Sequence, residues 1–172
     1  MKRSTSRILT THAGSLIRPE SIASFDRSRQ QGWVDEKAYD KALQQAVKDV
    51  VRKQAETGIN VVDDGEFSKS SWGTYINSRV TGFQHDPERD MAINYTGQDS
   101  ERFAGYFDAE NGGQARRRWR GADVCVEPIV YVDNHSIHRD IANLSSAAAW
   151  NRVEDAFLPV VAPASAAFNG VQ

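Results

Sequence analysis

Three carboxylates, Asp63, Asp64 and Glu66, stand within four positions and close the apolar run Ile59-Asn60-Val61-Val62. A second chemical feature, Gly14-Ser15, follows Thr10-Thr11-His12 near the N-terminus. Glycine and serine let the backbone approach a ligand closely, and successive amides in such a turn can bind a carboxylate. A carboxylate at a neighbouring strand end pairs with an ammonium. In an extended strand Asp64 and Glu66 are expected on one side and Asp63 on the other. Asp63 also reads as a helix cap or as a partner for Lys69. An anion-binding turn beside an ammonium-binding acid suits an α-amino acid, so His12, Gly14, Ser15, Asp64 and Glu66 are the candidate substrate-binding residues. Turn chemistry and helix capping account better for any one of these groups taken alone.

Metal ligation needs three or four Cys, His or carboxylate ligands converging at about 2.0–2.3 Å for zinc. His12, His135 and His138 fall near predicted strand ends, whereas Cys125 falls early in its own predicted strand and reads as a small buried apolar residue. His135 and His138 bracket a helix start, where capping or exposure serves them. No complete zinc site is expected, and the catalytic residues stay unassigned.

The elements that must position these groups follow from periodicity. Residues 7–16 are short and β-branched and end in small residues, which predicts a buried strand and a turn. From Asp35 to Thr57 apolar residues recur at Ala38/Tyr39, Ala42/Leu43, Ala46/Val47 and Val50/Val51, with Asp35 as N-cap and Gly58 as the stop. A strand over 59–66 comes next, then a weaker helix over 70–81 with Gly73 inside it. Residues 84–120 are rich in Gly, Asp, Asn and Arg with little periodicity, so an insertion or a long loop is expected. A strand over 123–132 interrupted by Pro128, a helix over 137–150 and a strand over 156–163 complete the reading. The basic run Arg116-Arg117-Arg118 with Arg120 reads as a solvated loop or a local clamp, with phosphate binding as the alternative.

Strict strand and helix alternation implies parallel pairing and an α/β fold, either an open doubly wound sheet or part of a closed barrel. Ala13-Gly14-Ser15-Leu16 is not the glycine-rich phosphate turn of the first kind. A full barrel takes about 250 residues, so 172 residues are expected to form a single domain holding roughly half of one, about four strands. Ligands bind at the carboxyl ends of parallel strands, here His12 to Ser15, Asp63 to Glu66, Asp133 to His135 and Pro163 to Ser165. Four polar or small clusters on one rim point to a site.

Composition narrows the function classes. A formal charge of −2 gives no electrostatic reason for a nucleic-acid partner. No apolar run approaches the roughly 20 residues that span a bilayer, and the basic N-terminus lacks a signal-peptide core. One cysteine excludes an internal disulfide framework, and a cytoplasmic location is expected.

Thr10-Thr11-His12-Ala13-Gly14-Ser15-Leu16-Ile17-Arg18-Pro19 resembles the opening strand and turn of the cobalamin-independent methionine synthase family. The segment from Gln54 through Gly58 to Asp64-Gly65-Glu66, followed by Tyr75 and Arg79, resembles that family's passage from helix to strand. With Gly82-Phe83 and the strand around Pro128, the resemblance covers most of the chain outside 84–120. It implies a (β/α)8 TIM barrel of the methionine synthase/uroporphyrinogen decarboxylase-like type, and methyl transfer from 5-methyltetrahydrofolate to the thiol of homocysteine or a related thiol. It also implies that the Gly14-Ser15 backbone holds a substrate carboxylate and that Glu66 binds its amino group. The family's zinc ligands lie in later strands and have no counterpart before Gln172. His12 matches shorter relatives with a Thr-His-x-Gly-Ser start, some of which act on other thiols.

Two other classes stay open: a non-catalytic binding half-barrel or fragment, and a metal-dependent barrel hydrolase using His12 with Asp64 and Glu66. Open sheet edges predict self-association.

Overall fold

The computed structural model describes residues 2–91, 98–110, 119–162 and 170–171. These fall into two compact units, one of residues 1–79 and 132–162 and one of residues 80–131 and 163–172.

The first unit is built on a long amphipathic helix. Residues Glu20–Gln30 form α1 and Glu36–Glu56 form α2. The Asp35 side chain accepts the Ala38 N–H at 3.1 Å and caps α2, as its sequence predicts. One face of α2 buries Tyr39, Leu43, Ala46, Val47, Val50 and Val51, which pack with Ile22 of α1 and with Val62, Phe67, Leu144 and Ala147. Helix α1 escapes the sequence reading because its apolar face is only Ile22 and Phe25, among serines and charges. Pro19 precedes it, Glu20 stands in its first turn and Arg27 and Arg29 in its last, which suits the helix dipole.

The parallel sheet is short. Strand β1 is Val61–Val62, followed by helix α3 at Trp72–Asn77. Thr11 bridges Val61 in parallel on one side. On the other side Val61 pairs with Asp155 and Val62 with Ala156. Residues 7–16 are thus neither buried nor a regular strand: Ile8 is 86% exposed and a single bridge joins them to β1. The physical reason is side-chain competition with the ladder. Thr10 Oγ1 donates to Gly58 O, the Thr10 amide donates to Asn60 Oδ1, and Thr11 Oγ1 donates to Val61 O. The neighbours of β1 are therefore the first and last predicted strands. Residues 123–132 do not enter this sheet, so among the described residues β1 has two parallel neighbours, β4 and the single bridge at Thr11, and three parallel segments stand where the sequence counted four.

In the second unit, Phe83–Met91 forms β2 and Trp119–Cys125 forms β3, paired antiparallel with Phe83 opposite Cys125. The register shifts between Asp86 and Asp90, where Pro87 has no N–H to give. Short helices α4, Gln98–Arg102, and α5, Ala104–Glu110, lie between them in sequence. Residues 84–120, expected as an insertion or loop, thus carry paired strands whose polar composition masks any period-two pattern. Gly82 has φ +94°, and a Cβ there would stand 2.7 Å from the Glu127 carbonyl oxygen. That close approach explains glycine at the turn into β2. Of the basic run, 116–118 lie outside the described residues.

Back in the first unit, α6 spans His135–Ala149 and leads to β4, Asp155–Ala156. A final strand of the second unit, β5 at Gly170–Val171, runs parallel to β3. Among the described residues no helix is long and apolar enough to cross a membrane.

Candidate functional site

The site lies in the first unit, where the chain leaves β1. A helix side chain first fixes the strand end: Gln54 of α2 donates from Nε2 to Asp63 O at 2.8 Å and accepts the Asp63 N–H at 3.2 Å. The chain then turns sharply. Gly65 has φ +66°, and Glu66 at φ +57° is the one non-glycine residue with positive φ among those described. That conformation costs free energy for a residue with a Cβ and marks a turn that its surroundings impose. It also ends strand alternation before Glu66 is reached. Asp63 and Asp64 are both buried, and only Glu66 of the three is partly open.

Each acid has a separate partner. Asp63 Oδ1 accepts the Gly65 amide at 2.8 Å, while its Oδ2 is buried with no partner among the described residues. Burial raises the Asp63 pKa, opposed by the Gly65 N–H and by the nearby His12. Asp64 Oδ1 accepts the Glu66 amide at 3.0 Å, and Oδ2 pairs with Lys69 Nζ at 2.8 Å. Lys69, read from sequence as an alternative partner for Asp63, therefore serves Asp64.

The Glu66 carboxylate accepts a hydrogen bond from Ser15 Oγ. Around it the two strand ends are stitched together: Leu16 N–H donates to Gly65 O at 3.1 Å and Arg18 Nη2 to Glu66 O at 3.3 Å. Gly14 has φ +98°, and a Cβ added there would meet nothing within 4 Å, so the turn faces open space. His12 Nε2 donates to Gly14 O at 2.9 Å, which points its ring back onto the turn. Gly14, Ser15, His12 and Glu66 are thus gathered at one place. Asp64 stands behind them, both oxygens engaged. Arg18 and Gln54 also belong to the site's support. Their signals in sequence were the Arg-Pro after the first turn and a polar residue at a core position of α2.

The rim group at Asp133 to His135 is a helix start: Asp133 Oδ1 accepts the His135 amide at 2.7 Å and Oδ2 the Ser136 hydroxyl at 2.7 Å. These bonds hold the Asp133 carboxyl below the usual carboxylate range, the Ser136 hydroxyl contributing most. The group at Pro163 to Ser165 lies outside the described residues. Cys125 is half-buried in β3, with Sγ 3.5 Å from Glu127 O, rather than fully buried as its sequence suggested. Among the described residues no three His, Cys, Asp or Glu side chains gather as a metal site would need. Close by, Tyr75 OH and Ser68 Oγ both donate to Asp140 Oδ2, at 2.8 and 2.7 Å, and tie α3 and the turn before it to α6.

Residues 8–101 match the family described as cobalamin-independent synthase, catalytic domain. Over 74 residues the chain is 31% identical to a 5-methyltetrahydropteroyltriglutamate–homocysteine methyltransferase of Bifidobacterium longum subsp. infantis, covering 43% of this chain and 10% of that protein. Over 75 residues it is 33% identical to a methionine synthase of Sulfolobus acidocaldarius, covering 44% of this chain and 22% of that one. The matched region is thus a small part of either relative's length. In structure, 94% of the chain superposes on 40% of a B12-independent methionine synthase from a Shewanella species, solved in complex with selenomethionine, at TM-score 0.62 and 14% identity. A putative vitamin-B12 independent methionine synthase from Listeria monocytogenes gives TM-score 0.57 at 20% identity, over 95% of this chain and 40% of that one. These likenesses show a fold of the TIM-barrel type, and with a family match over more than half of its residues the chain belongs to the cobalamin-independent synthase catalytic-domain family.

Proposed function

We propose that this chain supplies the amino-acid-binding part of a methyltransferase that moves a methyl group from 5-methyltetrahydrofolate to the thiol of homocysteine or a related thiol. The observation that carries it is the Ser15–Glu66 hydrogen bond beside the open, left-handed Gly14. An α-ammonium entering there meets the Glu66 carboxylate, which can exchange its Ser15 partner for the charged donor. The Gly14-Ser15 backbone and the Ser15 hydroxyl then face the substrate carboxylate. The thiol end points away from both groups.

In the family's complete enzyme, zinc supplies thiol activation by lowering the thiol pKa. The donors described here do not fit that role. Cys125 Sγ lies against Glu127 O, His12 is turned onto Gly14 O, and Asp64 is spent on Lys69 and the Glu66 amide, so no three such donors gather among the described residues. The residues gathered around Glu66 bind and orient.

Calorimetric titration of the chain with L-homocysteine, for wild type and Glu66→Gln, tests the reading. A charge-assisted hydrogen bond of about 1.5–3 kcal/mol predicts a loss of affinity of about ten- to a hundredfold. Equal affinity in the two proteins would remove Glu66 from the site. Binding without methyl transfer by the complete protein would assign it a binding role alone.

A further inference from the structure

Glu66 is held in an unfavourable backbone conformation, and its supports can be traced outward atom by atom. Its carbonyl accepts the Lys69 amide at 3.0 Å and Arg18 Nη2 at 3.3 Å. Its amide donates to Asp64 Oδ1 at 3.0 Å. Asp64 has one oxygen left, and Lys69 Nζ holds it at 2.8 Å with both side chains buried, 3% and 7% exposed. The ammonium also lies 5.3 Å from the centre of the Tyr75 ring, whose hydroxyl is tied to Asp140. Lys69 is therefore enclosed, its ammonium held between Asp64 and the Tyr75 ring.

We propose that Lys69 is a positioning residue: by anchoring Asp64 it holds the Glu66 amide, keeps Glu66 left-handed and aims its carboxylate at the open turn, without touching the ligand. This rests on the reading of Glu66 as the ammonium-binding group. The geometry favours a positioning role over a general contribution to stability because the pair bears on one specific amide. A buried ion pair by itself is weak evidence for stability, since desolvation offsets attraction. An ammonium that fixes which oxygen faces which donor is, by contrast, a directional device.

Lys69→Met keeps most of the buried stem and removes the charge. Asp64→Asn makes the same break more gently. Asparagine has one oxygen, the ammonium claims it, and the Glu66 amide is left facing an NH2 group. Amide hydrogen exchange on the isotope-labelled chain reads the result directly. Exchange at Glu66 should quicken about tenfold in either variant, the amides of α2 keeping their wild-type rates. An unchanged Glu66 rate in Asp64→Asn would overturn the proposal even if Lys69→Met does not fold.

A double-mutant cycle with L-homocysteine supplies the second readout. Lys69→Met should weaken binding about tenfold in the wild-type background and leave the Glu66→Gln background unaltered, because its effect passes through the Glu66 carboxylate. Equal losses in both backgrounds would show that Lys69 acts independently of Glu66 and would overturn the positioning role. If the wild-type chain binds no L-homocysteine, the amino-acid reading fails, and the exchange measurement still decides the role of Lys69.

Discussion

Gln54 offers the sharpest test of how the site is held. It sits on the core face of α2, 4% exposed, where an apolar residue would satisfy the helix pattern. Its amide instead pairs with both backbone groups of Asp63, donating at 2.8 Å and accepting at 3.2 Å. Gln54→Met keeps nearly the same volume and helix preference and removes both bonds. Two buried backbone groups then lose their partners, at about 1–3 kcal/mol each, so a loss of about 2–6 kcal/mol is expected. A volume-conserving apolar exchange with no polar consequence costs under about 1.5 kcal/mol. Urea unfolding followed by circular dichroism measures the difference, and exchange at the Asp63 amide locates it. A loss below about 1 kcal/mol with unchanged Asp63 exchange would refute the clamp and reduce Gln54 to a residue that fills space.

The remaining expectations concern the core, the cap, a titration and the open edge. Leu43→Ala, at a fully buried position, should cost about 2–5 kcal/mol in the same unfolding assay, and Asp35→Ala about 1 kcal/mol through the lost α2 cap. Burial raises the Asp63 pKa, so the stability it contributes is present below the ordinary aspartate value and is lost as pH rises through the raised one. Asp63→Asn should therefore gain stability over the wild type as pH rises through the raised value, with the gap closing as pH falls back to the ordinary aspartate range; a gap that does not change with pH would refute the raised titration. Ile8 and Ile17 are 86% and 95% exposed beside residues that make a single bridge to β1, so we expect association at micromolar concentration. Sedimentation of a sharp monomer would contradict that.

Legibility in the sequence followed the strength of the local signal. Helix α2 could be read almost to the residue because its apolar period runs for five turns and both ends carry stop signals, Asp35 and Gly58. The short strand that follows it, at Val61–Val62, was also open to view. What was hidden depended on pairing. Residues 123–132 carry as many β-branched and aromatic residues as any barrel strand, yet Val126, Ile129, Val130, Tyr131 and Val132 are all more than half exposed. Propensity describes a segment's fitness for a strand and says nothing of which sheet receives it. Residues 7–16 failed in the opposite sense: their β-branched threonines spend hydroxyls on neighbouring carbonyls, which shortens the ladder to one bridge.

For the site, residue type was enough to gather Gly14, Ser15 and Glu66, and it misjudged how they are held. Strand alternation would turn Asp63 away from Asp64 and Glu66, but alternation stops where φ becomes positive, and here that happens at two successive residues. From that point the acids divide by hydrogen bonding. Asp63 binds the amide two residues on and Asp64 does the same one step later, so each fixes one link of the turn. Only the third acid has its carboxylate left to a hydroxyl that a stronger donor can displace. Two acids that shape the turn and a third that faces outward explain why three carboxylates stand together with so little charge exposed. The same division separates residues whose replacement should change the shape of the turn, Asp63, Asp64 and Lys69, from the one whose replacement should change only what the turn binds, Glu66.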